Sequence, residues 1–223
     1  STGGQYDPAK AQAGATVATT STQKGAIELG NLDLYGKAGT GPGGTVTLNN
    51  GSVGDTAWVN GSNDGKIQPG HFSDDVNMYV PQPTLPTGFG NNLPILNGLI
   101  GAVTHTYVLP GGDFRMATLS LTSGQDMYIS GNSRLYVTGN TSLDGTITLA
   151  PGASLQIYLD GKFGSKGGYI NNPGTPKDLA VVGLSTCTDV IINGGAKFVG
   201  TVNAPKADIT INGGAGVYGA CIG

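Results

Sequence analysis

From Asp189 the chain reads DVIINGGAKFVGTV, and from Asp208 it reads DITINGGAGVYGAC. The two stretches match at a constant offset of 19 residues (208 − 189). Asp189 falls on Asp208, Ile192 on Ile211, Phe198 on Val217 and Gly200 on Gly219, and the corner Asn193-Gly194-Gly195-Ala196 falls on Asn212-Gly213-Gly214-Ala215. Each copy holds a short alternating strand, a Gly-Gly corner, a second strand and another corner. A period near ~20 residues with two or three strands per repeat is the signature of a β-solenoid, because one coil cannot bury its apolar face alone and stacked coils share a core. The expected fold is all-β: a parallel β-helix (β-solenoid) of about eight to ten coils.

Working upstream, the same rhythm continues. Leu119 and Leu121, Met127 and Ile129, Leu135 and Val137, and Leu143 recur at eight-residue steps, and Ile147, Leu149, Leu155, Ile157 and Leu159 extend the series. Polar residues lie between them, as period-2 strands with one buried face require. LAVVGL (179–184) reads as a fully buried strand leading into the twin repeat. From Ala26 a weaker alternation runs through Ile27, Leu29, Leu32, Leu34, Val46, Leu48 and Val53, with glycine corners between. Two stretches break the pattern. Residues 81–112 hold five prolines, and their apolar part (93–103) reads as a short helix or a buried loop; they form a functional loop or a cap. Residues 161–178 read as a second, shorter excursion. Residues 1–25 are rich in Ser, Thr, Ala and Gly and read as a linker or N-terminal arm, with a strand packed on the first coil as the plainer alternative and one or two helical turns near Ala9–Ala18 as another. The solenoid domain is expected over 26–223.

Composition narrows the function. The 40 glycines in 223 residues (about 18%) exceed the usual ~7% without a triplet period, which excludes collagen. A net charge of −3 with only Arg115 and Arg134 as arginines argues against a nucleic-acid partner, which demands a basic surface. No stretch approaches the ~18 apolar residues of a membrane helix. The chain starts without Met or a signal peptide and reads as a processed, exported piece. Cys187 and Cys221, 34 residues apart, are expected to form a disulfide in an oxidising compartment, with two buried free thiols as the alternative.

The phrase AKFVGTVNAPKADITINGGAGVYGACIG (196–223), with its FxGxxxAPxAxxxxxGGxxxYGAxxG spacing, resembles exported bacterial β-solenoid domains of PilX-like, type IV pilus-associated surface proteins. ASLQIYLDGKFGSKGGYINNPGTPKDLAVVG (153–183) resembles them too. The resemblance covers about residues 115–223 and, less clearly, 26–80. It implies an extracellular or cell-surface module, linked to a pilus through an N-terminal pilin-type helix that these residues do not include. A weaker resemblance is to bacterial ice-binding β-solenoids, which present flat rows of outward Thr; the pairs Thr45/Thr47 and Thr146/Thr148 are the candidates here.

Trp58, Tyr128, Tyr136 and Tyr158 are the candidate ligand-binding residues, since outward aromatics on successive coils would make a sugar-stacking stripe; exposed Tyr is also common on strands for packing reasons alone. Catalysis is not expected. A glycosidase needs two carboxylates ~5–9.5 Å apart across a cleft, whereas Asp126, Asp144 and Asp160 read as corner residues stacked along one edge, bonding the backbone. No zinc spacing surrounds His71 or His105, so no metal site is expected; Asn63-Asp64-Gly65 and Ser73-Asp74-Asp75 are candidate calcium loops without the nonapeptide repeat that would support them. The function expected is a non-catalytic structural protein of the bacterial surface, pilus-associated or filament-forming and adhesive. The alternatives are a carbohydrate-binding or ice-binding solenoid and, further off, a polysaccharide lyase or hydrolase. Partners expected are other copies joined through the solenoid ends, other surface or pilus proteins, and glycans. The C-terminal coil, which stops without a polar cap, is the expected joint.

Overall fold

Alternating apolar residues make strands only where the alternate face has something to cover, and here each coil covers the next. The computed structural model describes residues 13–171, 173–193, 195, 197–212 and 216–223. The first part supplies β1 (Ala15–Ala18), β2 (Ile27–Gly30), β3 (Leu34–Gly39), β4 (Val46–Leu48), β5 (Val53–Gly54), the one-turn helix α1 (Thr56–Val59) and β6 (Phe72–Ser73). A hairpin follows, β7 (Ile95–Ile100) and β8 (Val103–Leu109), then β9 (Gly112–Met116) and β10 (Leu119–Leu121). Two coils follow: β11 (Asp126–Ile129), β12 (Ser133–Val137) and β13 (Thr141–Leu143), then β14 (Thr146–Leu149), β15 (Leu155–Leu159) and β16 (Phe163–Ser165). The last are β17 (Tyr169–Ile170), β18 (Leu179–Gly183), β19 (Asp189–Ile192), β20 (Lys197–Asn203), β21 (Asp208–Ile211) and β22 (Gly216–Ile222). Together they form a parallel β-solenoid of about ten turns.

The coil has three walls. Wall one stacks β8, β11, β14, β17 and the first halves of β20 and β22. Wall two stacks β9, β12, β15, β18 and the second halves of β20 and β22. Wall three runs β10-β13-β16-β19-β21-β2-β4. The twin repeat is reproduced in register, with Asp189 beside Asp208, Ile192 beside Ile211 and Gly200 beside Gly219. Parts of its Gly-Gly corners (Gly194, Ala196 and 213–215) lie outside the described residues. β20 and β22 each turn a corner within one strand. At that corner a methyl group on Gly219 (φ 149°) would sit 1.7 Å from the Gly200 carbonyl oxygen, so only glycine fits. Inward residues such as Leu135, Val137, Ile157, Phe163 and Phe198 are fully buried, each worth ~1.5–3 kcal/mol by burial.

The axial order is not the chain order. β22, the last strand, pairs with β1 (Val17 beside Cys221, Ala18 beside Ile222), and β21 pairs with β2 (Glu28 beside Thr210). The N-terminal coils therefore sit on the C-terminal coil, and wall two continues β22-β1-β3-β6. This corrects two expectations. Of the region read as a linker, Ala15–Ala18 is a wall strand packed on β3, the plainer alternative, and not a helical turn, while residues 1–12 lie outside the described residues. The C-terminal coil is no open joint, because β1 and β2 cover it. The apolar core divides at this seam into a large cluster over Leu109–Cys221 and a small one built from Ile27, Leu29, Leu34, Ala38 and Val53. A cavity of about 10 Å³, room for about one water, lies there between Val17, Ile27, Ile209 and Gly223.

Stacking the chain's beginning on its end leaves a geometric problem: residue 74 is at one end of the solenoid and residue 95 at the other. Eight strand spacings separate β6 from β9 along wall two (β6-β3-β1-β22-β20-β18-β15-β12-β9), about 38 Å at ~4.8 Å each. Residues 74–94 cross that distance as an extended strap. The Val76 amide donates to the Thr40 carbonyl (2.9 Å) beside β3, Gln82 Nε2 donates to the Gly183 carbonyl (3.3 Å) in β18, and the Arg115 amide of β9 donates to the Asn92 carbonyl (2.7 Å). Pro81, Pro83 and Pro86 suit such a segment, since they hold φ extended and ask for no ladder hydrogen bond. The expected excursion 81–112 is thus the strap's end plus a hairpin, and 93–103 is neither helix nor buried loop. The second expected excursion, 161–178, is half regular, since β16 and β17 are wall strands and Pro176–Asp178 is a 3-10 turn before β18.

Candidate functional site

The hairpin end carries five of the large apolar side chains that face solvent. Residues 93–109 (LPILNGLIGAVTHTYVL) contain no Lys, Arg, Asp or Glu. Gly101 (φ 61°) opens the two-residue turn, as tight hairpins require. β8 is inside wall one, in parallel register with β11, and β7 lies antiparallel on its other side as the last strand of that sheet. Leu93 (70% exposed), Ile95 (48%), Leu96 (62%), Leu99 (65%) and Val103 (58%) all face solvent. The hairpin is held firmly nonetheless. Asp126 on β11 accepts from the Thr106 amide (3.0 Å) through Oδ1 and meets His105 Nδ1 through Oδ2 (2.5 Å). The His105 ring stacks on Tyr128 (centroids 4.8 Å, interplanar 26°). Gly98 is needed where β7 crosses Val108, since a methyl there would approach Val108 Cγ2 to 2.5 Å.

The aromatic stripe expected from the sequence is dispersed. Tyr128 lies on wall one against His105, whereas Tyr136 and Tyr158 lie side by side on wall two. There Phe89 of the strap packs edge-on against both rings, at 5.8 Å and 5.7 Å, with the Arg134 guanidinium 5.0 Å from its centroid. Arg134 is itself held by both carboxylate oxygens of Asp113, Nε to Oδ1 at 2.6 Å and Nη2 to Oδ2, as a clamp between β9 and β12. That pairing lowers the Asp113 carboxyl below its usual range. The Tyr136 hydroxyl donates to Asp160, which also accepts from Thr186 Oγ1 (2.9 Å); the hydrogen bond to Asp160 and burial push the Tyr136 phenol up. Trp58 sits in α1 at the opposite end, its helix capped by Asp55, whose carboxylate accepts from the Trp58 amide (2.8 Å). Its indole packs over Gly54, where a methyl would come within 2.6 Å of Cδ1.

The remaining candidates separate as well. Cys187 and Cys221 are free and buried, which corrects the expected disulfide. Cys187 lies in the turn after β18, whereas Cys221 is in β22, two strands further along wall two; two spacings of ~4.8 Å exceed the ~7 Å Cα limit of a disulfide. Burial raises both thiols, Cys221 to about 12. The corner Asp residues do not share one edge: Asp126 opens β11 on wall one, and Asp160 follows β15 on wall two. Thr45 and Thr47 flank or lie in β4 of wall three, and Thr146 and Thr148 lie in β14 of wall one, so the two pairs are on different sheets and stack into no common row. Outward along wall three, Ser120 stands beside Ser142 and Glu28 stands between Thr210 and Thr47. Among the described residues no three His, Cys, Asp or Glu side chains group as a metal site, and no helix is long and apolar enough to cross a membrane.

Three features escaped the sequence reading: Phe89, the Asp113–Arg134 clamp and the hairpin. A signal for the hairpin exists in the period-2 order of Val103, His105, Tyr107 and Leu109, two residues after the apolar run 95–100. The prolines and glycines around it obscured that order.

The fold and its ends define a three-walled parallel β-solenoid with a strap-tethered N-terminal cap and an exposed hairpin edge. Residues 96–223, more than half of the chain, match the family described as a domain of unknown function (DUF7305), and the chain belongs to that family. No curated protein and no solved structure matches the chain significantly.

Proposed function

We propose that this chain is a non-catalytic structural module of the bacterial cell surface, pilus-associated or filament-forming, and that it joins its assembly through the β7–β8 hairpin end. The observation that carries this reading is the set of five large exposed apolar side chains between Leu93 and Val103, three of them (Ile95, Leu96 and Leu99) on the edge strand β7, in a hairpin without a single Lys, Arg, Asp or Glu. Natural sheets protect long edges with charges, prolines or bulges, and contiguous exposed apolar patches mark interaction sites. The resemblance to pilus-associated solenoid domains supports a position outside the cell for such a module. The other end of the solenoid is closed by β4, β5, β6 and α1.

The test compares the chain with a Leu96→Asp/Leu99→Asp variant in cells, by fractionating surface filaments, membranes and medium. The intact chain is expected with the surface fraction and the variant, still folded by circular dichroism, in the medium. A variant retained at the surface as well as the intact chain would overturn the reading.

A further inference from the structure

The cap that covers the C-terminal coil is held by few strand pairs. Among the described residues, β1 meets β22 at two positions (Val17 beside Cys221, Ala18 beside Ile222) and β2 meets β21 at one (Glu28 beside Thr210). One coil deeper, β20 and β22 are in register at seven, from Lys197 beside Gly216 to Asn203 beside Ile222. The apolar core divides at the same seam, and the cavity between Val17, Ile27, Ile209 and Gly223 lies in it. We infer that the cap, residues 15–73, is exchangeable: the cap of a second copy of this chain docks on the C-terminal coil in place of the chain's own, and two copies that swap caps form a closed dimer. This goes beyond the hairpin reading and stands without it, since it uses a different surface.

Three features carry it. The seam runs between the two core clusters, so opening it separates no two members of either. The second feature is the strap, the covalent link between cap and body. Residues 74–94 number 21 (94 − 74 + 1) and reach roughly 70 Å when fully extended, against the ~38 Å that they cross. They contain no strand, so lifting them breaks single hydrogen bonds at Val76, Gln82 and Asn92 and the Phe89 ring contacts, but no ladder. The third is what an opened seam requires. A bare C-terminal coil would expose the β22 edge and Cys221, which is 4% exposed when covered. A second copy's cap has the same Val17, Ala18, Ile27 and Glu28 and restores every seam contact, so exchange leaves both coils covered. The balance then lies between one cap on a tether and another in solution. A flexible tether holds its cap at an effective concentration on the order of 1 mM, so exchange is favoured where copies are packed at that density, as in an assembly.

Thr16→Cys and Ala220→Cys, placed in separate chains, read the exchange. Both residues are exposed and adjoin across the seam, one position before Val17 and Cys221. A short thiol-to-thiol cross-linker therefore joins two chains where the cap of one sits on the coil of the other. The native cysteines are buried, and the parent is expected to give no linked product. The two variants are mixed, held for a day, then diluted and cross-linked at once. Raising the holding concentration from about 10 µM to about 1 mM is expected to raise the two-chain product about 100-fold. Phe89→Ala in both chains, which loosens the strap, should raise it further. A Thr148→Cys chain, with its new thiol on wall one, mixed with the Ala220→Cys chain is the control for chance collision. Each variant should keep the thermal midpoint of the parent, since the replaced side chains are exposed. Folded variants that give no two-chain product after millimolar holding overturn the exchange, and so does a product that the control forms equally. Sedimentation equilibrium is run on the same mixture. A dimer that does not link at the seam joins through another face, which overturns the exchange and leaves the hairpin reading standing.

Discussion

Replacing Phe89 by alanine should release the strap at its tightest point. Phe89 makes two edge-on ring contacts, with Tyr136 and Tyr158, and a cation–π contact with Arg134. Aromatic pairs are worth ~0.5–1.5 kcal/mol each and an exposed cation–π contact ~0.5–1. The side chain is half-buried, so its burial adds less than the ~3–5 kcal/mol of a fully buried Phe→Ala change, and these contributions overlap. The expected loss is about 2–3 kcal/mol, felt first as local opening because the strap keeps its hydrogen bonds at Gln82 and Asn92. Hydrogen exchange reads this directly at the Arg115 amide, which donates to the strap carbonyl of Asn92. A 2 kcal/mol opening raises its exchange about 30-fold. Amides between β12 and β15, such as that of Leu135, should be unchanged. Equal acceleration at Arg115 and Leu135 would mean that Phe89 supports the whole coil and not the strap, and no change at Arg115 would refute the latch altogether.

Other consequences follow from the same geometry. The Asp113 carboxyl is lowered by Arg134, so its contribution to stability is present above the ordinary carboxylate range near pH 4 and is lost as pH falls through the folded value; the stability difference between the parent and Asp113→Asn, measured by urea unfolding, should shrink from pH 7 to pH 3. Gly219→Ala places a methyl against the Gly200 carbonyl oxygen, and a loss of about 3 kcal/mol or more, or failure to fold, is expected in the same assay. Cys187 and Cys221 should resist alkylation at pH 8 in the native state and react fully in urea, with no disulfide on a non-reducing gel after mild oxidation; a native disulfide would contradict their separation.

Much of the fold was legible because coil formation is local and periodic. The offset between Asp189 and Asp208 is the register of β19 on β21, and the eight-residue steps through Leu119, Met127 and Leu135 are the successive walls of one coil. The axial order was not legible. Nothing in Ala15–Ala18 distinguishes a strand that pairs with Cys221 and Ile222 from one that pairs with the next segment of chain, because parallel pairing of small apolar residues carries little specificity. Without that order the proline-rich stretch had no distance to cross, and it read as a loop. The aromatic candidates do not share one stripe for a related reason: outward phase on a strand says which face a side chain takes, but not what lies over it. Tyr136 and Tyr158 do point outward, and Phe89, more than 40 residues away in sequence (136 − 89 = 47), covers them.

The stacking of the first coils on the last closes one end of the solenoid and leaves the hairpin as the exposed apolar end, and it can be tested by cross-linking. Thr16 and Ala220 are both exposed and lie one residue before the neighbours Val17 and Cys221. A Thr16→Cys/Ala220→Cys variant treated with a short thiol-to-thiol cross-linker should give an internally linked species of altered gel mobility. A Thr201→Cys/Ala220→Cys pair, adjacent on β20 and β22, serves as the control. Coils stacked in chain order would put Thr16 beyond the hairpin end, eight spacings or roughly 38 Å from β22. Efficient linking of both pairs is the result expected here; a folded protein in which the control links and the Thr16 pair does not would contradict it.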